Sequence, residues 1–217
     1  MGNLDLHGNN YVLLDGTKAP SVTTIIGQNL GWNKNVLINW AKRQTMIGKD
    51  ADKVLQDAAD TGTLTHLLIE NHQRGLDTDT KDFTRSQTEK AMIAFSGYLK
   101  WVEKTQFKAL ANEVVIVDEE QRIAGTIDCI GKMGDDLVVI DWKTSKYLYK
   151  EHKIQIAKYV DMYERKQPKA QVKYGMVLRF EKEECKFHQH KIQRDKIDAG
   201  IKIFDTLLEL HNLKNSV

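Results

Sequence analysis

The chain has 217 residues, 41% apolar and 29% charged, enough for one ordinary domain with a sizeable core. No apolar run nears the eighteen or so residues of a membrane span, and two cysteines, Cys129 and Cys185, are too few for a disulfide framework. The net charge of +2 names no partner, but from Asp141 to Lys196 there are 15 Lys/Arg against 8 Asp/Glu, whereas residues 1–140 carry 15 against 19. A basic C-terminal half suits either solvated helix and strand faces or a surface for a phosphate backbone.

The first residues, Met1 to Gly8, lack the basic-then-apolar pattern of a secretory signal and the Arg-rich look of a transit peptide. The cytoplasm, or a host's if the source is viral, is the expected location. Residues 11–14, YVLL, read as a short strand before the turn DGTKAPS. Ser21 suits an N-cap for VTTIIGQNL, and NKNVLINWAKRQTMIG gives a second helical segment ending near Gly48. From Asp50 to about Arg74, Val54, Leu55, Ala58, Leu64, Leu67 and Leu68 follow a helical period, with Gly62 marking a bend or a close approach. Thr84 to Lys104 is a further amphipathic helix.

The period then changes. FKALANEVVIVDEE, RIAGTIDCIGKM and DLVVIDWKT are three short β-rich runs separated by acidic or Gly-containing turns, a meander. EHKIQIAKYVDMYERK returns to a helix that stops before Pro168. QVKYGMVLRFE and CKFHQHKIQ read as two more strands, and DKIDAGIKIFDTLLELHNL as a closing helix capped by Asp195. With no repeat or linker, the expectation is one mixed α/β domain over 1–217: a mainly helical part (1–105), a small mixed sheet with its helix (106–193) and a C-terminal helix (194–217).

The stretch GTIDCIGKMGDDLVVIDWKTSK carries the chemistry. Strand alternation points Asp141 and Lys143 to one face and Trp142 to the other. The apolar run Leu137–Ile140 suits a central strand, so the charged pair emerges at the sheet's rim. Asp128, read as ending the preceding strand, is folded back beside Asp141 by the GKMGDD turn if the two strands pair antiparallel. Two carboxylates held close repel unless a cation lies between them, and Mg²⁺ prefers oxygen ligands with room for water and phosphate. A surface Asp–Lys pair plus an unrelated turn aspartate is the alternative that D-x-K alone leaves open.

Two further stretches narrow the choice: G-T-L-T-H with His66 on an upstream helix, and Gln155 and Tyr159 four apart on the helix after the lysine. The ordered set G-T-x-x-H, G-T-I-D, D-W-K-T and Q-x-x-x-Y resembles the PD-(D/E)XK nuclease superfamily, in its RecB-type exonuclease branch. The segment PSVTTIIGQNLGWNKNVLINWAKR is similar to the opening of phage and mitochondrial genome maintenance exonucleases. The resemblance spans about residues 20–165 and implies a restriction-endonuclease-like core with an N-terminal helical extension. The implied activity is a DNA exonuclease, dependent on one or two Mg²⁺ or Mn²⁺ ions, acting on single-stranded or end-containing DNA in replication, recombination or repair, with a phage-like setting.

By the same resemblance Asp128, Asp141, His66 and the Trp142 backbone carbonyl would bind metal, Lys143 would be the catalytic lysine, and Gln155 and Tyr159 would orient lysine, water or DNA. The usual Glu of (D/E)-x-K is here Asp141, which RecB-type members accept. Some relatives carry an iron–sulfur cluster on four cysteines; two cysteines imply none. Trp32 and Trp40 would stack on bases, and Lys146, Lys150 and Lys153 would hold phosphates, beside helices forming an arch or wall.

Other residues keep two readings. His66 and Tyr159 also suit a core, and Gln155 a solvated helix face. Glu113 is either an edge-strand charge or a group approaching the site. Glu70, one turn after His66, is a candidate to hold its ring. Cys129 is expected in the core, and His188 and His190 form either a metal pair or a solvated strand face. A structure-specific endonuclease on the same site, an inactive nucleic-acid-binding relative and a generic metal-dependent phosphatase are the rival functions.

Overall fold

In the computed structural model, residues 10–214 and residue 216 are described, so the N-terminal stretch read above for targeting lies outside them. Four helices come first: α1 (Val22–Asn29), α2 (Lys34–Met46), α3 (Ala51–Arg74) and α4 (Arg85–Thr105). Local sequence starts three of them. The Ser21 hydroxyl accepts the Thr24 N–H, Asp50 accepts the amides of Asp52 and Lys53, and Thr84 and Gln87 cap each other reciprocally. Helix α3 ends at Gly75, whose φ of 68° is a left-handed stop that suits glycine.

The sheet follows: β1 (Lys108–Asp118), β2 (Ile123–Met133), β3 (Asp136–Lys143), then α5 (Lys150–Lys166), β4 (Val172–Phe180), β5 (Phe187–Ile192) and α6 (Arg194–Lys214). Spatial order equals chain order. All neighbours are antiparallel except β3 and β4, which are parallel and therefore need the α5 crossover. This is the mixed α/β architecture expected from the pattern.

Helices cover both faces. Val22, Ile25, Ile156, Val160 and Phe204 from α1, α5 and α6 pack with Val139 and Val177 on one side. Ile69, Ala94, Tyr98 and Trp101 from α3 and α4 pack with Ile140, Trp142, Met176 and Phe180 on the other. Burial on both faces explains why β3 and β4 are apolar almost throughout. By contrast, α2 has no buried residue.

Three expectations change. Residues 11–14 make no strand; Val12 forms only an isolated bridge to Lys18, because the segment folds straight back through the turn at Gly16. Asp128 lies inside β2, which continues to Met133 because its ladder to β1 runs on to Lys132. Asp195 sits in the first turn of α6 instead of capping it, since the helix starts at Arg194 and Gln193 accepts the first amides.

Candidate active site

The site begins with β3. Asp141 is fully buried, and its two oxygens lie 2.8 and 2.7 Å from the Lys143 ammonium, two residues on along the same strand face. Burial raises the Asp141 pKa to about 6 against the pull of Lys143. For Lys143, burial opposes the charged form, but Asp141 and Asp128 outweigh it and the pKa rises. Near neutral pH both are therefore ionised, a carboxylate and an ammonium locked together.

The β2–β3 ladder pairs Cys129 with Ile140, and Asp128 stands one step beyond. There the Asp128 Oδ2 accepts the Trp142 N–H at 2.7 Å, so a side chain takes over where the ladder stops. The Trp142 carbonyl accepts from His66 Nε2 at 3.0 Å, and His66 Nδ1 lies 3.8 Å from Asp128 Oδ2. His66 reaches this point because α3 crosses the end of β3 closely: a Cβ on Gly62 would stand 3.3 Å from the Thr144 hydroxyl. The close approach at Gly62 is realised without a break in the helix.

Glu113 completes the cluster from β1. Its φ of 48° is left-handed, an uncommon conformation for glutamate inside a strand. Ligand atoms of His66, Glu113 and Asp128 lie within 4.8 Å of one another. Glu113 Oε2 is buried with no hydrogen-bond partner among the described residues. Burial, then Asp128 and Glu70, push the Glu113 pKa up to about 9. A buried carboxylate oxygen with nothing to bond, aimed at a second carboxylate and an imidazole, fits a divalent cation. The 3.0 Å between His66 Nε2 and the Trp142 carbonyl is also about the distance between adjacent ligands of an octahedral ion at ~2.1 Å.

The α5 face behind the site holds Gln155 and Tyr159, both buried and 3.4 Å apart through Nε2 and the hydroxyl. A Cβ at Gly125 would come within 2.7 Å of the Tyr159 ring, which explains the glycine of G-T-I-D: it makes room for the tyrosine of Q-x-x-x-Y. Thr126 bonds the Tyr11 hydroxyl at 2.8 Å. His152, unnoticed in the sequence, is three residues before Gln155 and so shares its face; burial, then the Lys143 charge, pull its pKa down to about 3, leaving a neutral ring.

Other candidates lie further out. Glu70 pairs with Arg74 at 2.9 Å, while the His66 ring bonds the Trp142 carbonyl. Trp32 lies under the Lys150 ammonium, 5.2 Å from the ring centre. Trp40 is half-exposed on α2, Lys153 exposed on α5, and Lys146 exposed in the loop after β3. His188 is bonded to Glu181 at 2.6 Å, and Cys129 is buried in the core. A cavity of ≈ 450 Å³ lined by Gly62, His66, Trp142, Lys143, Thr144 and Lys182 opens onto the cluster.

The profile of the PD-(D/E)XK nuclease superfamily matches residues 40–212, and the chain belongs to that superfamily. It is therefore a nuclease fold acting on nucleic acid, of a kind that uses divalent metal ions. Similar solved structures include a candidate exonuclease from Eubacterium rectale, at 13% identity and a TM-score of 0.49, covering 70% of this chain and 68% of that one. An alkaline exonuclease from Laribacter hongkongensis is similar at 10% identity and a TM-score of 0.37, covering 73% and 90%. No curated protein sequence matches the chain. Among the described residues, no helix is long and apolar enough to cross a membrane.

Proposed function

We propose that this chain, as one domain over its 217 residues, is a Mg²⁺- or Mn²⁺-dependent exonuclease that hydrolyses phosphodiesters of single-stranded or end-containing DNA. The setting is cytoplasmic and phage-like, in replication, recombination or repair. The observation that carries this reading is the convergence, at one mouth of the sheet, of His66 from α3, Glu113 from β1, Asp128 from β2 and the Asp141–Lys143 pair from β3.

His66, Asp128, Asp141 and the Trp142 carbonyl would hold the cation, with Glu113 as a further oxygen ligand. A bound divalent cation supplies Lewis acidity, polarising the phosphate and lowering the pKa of water. The chain's own groups do the rest. Lys143, held by Asp141, positions the attacking water and offsets charge that develops on the phosphate. Gln155 and Tyr159 keep that corner of the site in place from α5. Trp32 and Trp40 offer faces for bases, and Lys146, Lys150 and Lys153 offer charge for phosphates.

The test is digestion of end-labelled linear single-stranded, duplex and circular single-stranded DNA with Mg²⁺, Mn²⁺ or EDTA. Linear strands should be degraded with either metal and closed circles left whole. Cutting of circles would make the protein an endonuclease, and no cleavage of any form would make it a binding relative.

A further inference from the structure

Beyond the reaction centre lies a second cavity, of ≈ 590 Å³, lined among others by Thr144, Ser145, Lys146, Arg179, Lys182 and Glu181. Thr144, Ser145 and Lys182 line both cavities, so the two are neighbours with Lys182 on the boundary. Both open at the carboxyl ends of β3 and β4, the parallel pair, where ligands of open α/β sheets characteristically bind.

The sheet register sets a row of basic groups at this edge. Lys143 of β3 pairs with Arg179 of β4, and Arg179 pairs with His188 of β5. Residues paired this way stand one strand apart, about 4.8 Å, with side chains on the same face. Lys143 is thus the first member of a basic row that leads away from the cut.

Three cations, Lys146, Arg179 and Lys182, and two carboxylates, Glu181 and Glu183, line this cavity, a net positive lining. Among the described residues, no carboxylate lies within ion-pair distance of Lys146 or Lys182. Burial lowers the Lys182 pKa, the mark of an ammonium partly removed from water. Arg179 is only 12% exposed; its Nη2 makes a loose ion pair with Glu181 Oε1 at 3.6 Å, beyond hydrogen-bond range, and its Nη1 donates to the Ser145 carbonyl at 3.4 Å. Glu181 Oε1 accepts its short bond from His188 Nε2 instead, at 2.6 Å, and Glu183 is exposed. A partly desolvated cation whose carboxylates stand beyond hydrogen-bond range gains by taking up an anion.

We propose that Arg179 and Lys182, with Lys146 at the rim, form a second phosphate subsite that holds the phosphate next to the one being cut. This rests on the nuclease reading above. The ligand is a phosphate group of the nucleic acid, either an internal diester or a terminal monoester. Arg179 supplies a planar fork for two of its oxygens and Lys182 a point charge between the two cavities.

The experiment measures binding of fluorescent twelve-nucleotide dT strands in EDTA, where turnover is absent, across a salt series. The strands end in a 5′-hydroxyl, a 5′-phosphate or a 3′-phosphate. Lys182→Gln and Arg179→Gln should each weaken binding about 5–10-fold, and either should flatten the log–log salt slope by roughly 0.7, one phosphate contact on a single strand. Lys196→Gln, on exposed α6 surface, serves as control. A loss equal for all three strands assigns an internal diester; a loss confined to one phosphorylated end assigns the terminal monoester. With Mg²⁺ the same variants should raise KM and keep kcat.

If Arg179→Gln fails to fold, Lys182→Gln, in the turn after β4, decides alone. Wild-type cleavage with unchanged variant affinity and salt slope overturns the subsite but leaves the nuclease reading intact. A wild-type protein that neither cleaves nor binds these strands overturns both.

Discussion

The rim of the sheet and helix α2 are built on opposite plans. At the rim, Asp141 is fully buried and held through both oxygens by Lys143, and Asp128 is fixed by the Trp142 amide. Helix α2 buries no residue, and Val36, Leu37 and Ile38 all stand exposed. From Thr17 to Lys49 the chain holds five Lys/Arg and no acidic residue. A group that does chemistry must be held to fractions of an ångström, which strands and a packed core provide. A surface that accepts varied bases needs charge and apolar area more than rigidity. The contrast predicts that rim substitutions remove turnover, whereas substitutions around α2 change affinity and leave the fold alone.

The largest effect after loss of the aspartate–lysine pair itself is expected at His66. His66→Ala should weaken Mn²⁺ binding, followed by calorimetry or by Mn²⁺ paramagnetic resonance, at least 10–100-fold, the scale seen when even supporting groups of a metal site are lost. Unchanged Mn²⁺ affinity would remove the imidazole from the site. Gly125→Ala tests the packing behind the rim: its Cβ would press on the Tyr159 ring, with an expected cost of about 1–3 kcal/mol in thermal or urea unfolding.

Glu113 makes the rim sensitive to pH. Its native pKa lies near 9, far above the unfolded value near 4.5, so the metal-free native state keeps a proton that the unfolded chain releases. Its contribution to stability is therefore present at low pH and is lost as pH rises toward 9. Glu113→Gln should flatten that decline and stabilise the metal-free protein at pH 8 by on the order of 1 kcal/mol, read as a higher melting temperature. A variant that melts lower at pH 8 would contradict the raised pKa of Glu113. The smallest effect is on the α2 side. Trp32→Ala should weaken single-stranded DNA binding by about 1 kcal/mol, roughly fivefold, with no change in unfolding.

Much of this frame was legible in sequence because it is local. Apolar alternation located the strands, Ser21 and Pro168 bounded helices, and the D-x-K spacing put Asp141 and Lys143 on one face. What was not legible depends on which strands meet. Glu113 reaches the site from β1 in a left-handed backbone conformation that no residue pattern announces in a run such as NEVVIV. Asp128 looked like a strand end because the ladder to β1, which carries β2 on to Met133, is invisible in one strand alone. Arg179 falls beside Lys143 only once α5 has brought β4 parallel to β3. YVLL has the composition of a strand but, among the described residues, no neighbour that extends its pairing beyond Val12 and Lys18.

The proposed function makes the Asp141–Lys143 pair and the carboxylate–histidine cluster beside it a metal-dependent cutting centre. The most direct measurement compares cleavage of an end-labelled single strand by the wild type, Asp141→Ala and Lys143→Ala, each with Mn²⁺ and with EDTA, after checking by circular dichroism that all three are folded. The wild type should cut with Mn²⁺ and not with EDTA, and both variants should lose at least about a thousandfold in rate, ~4 kcal/mol of transition-state stabilisation. Cleavage that persists in either folded variant, or that survives EDTA, would contradict the account.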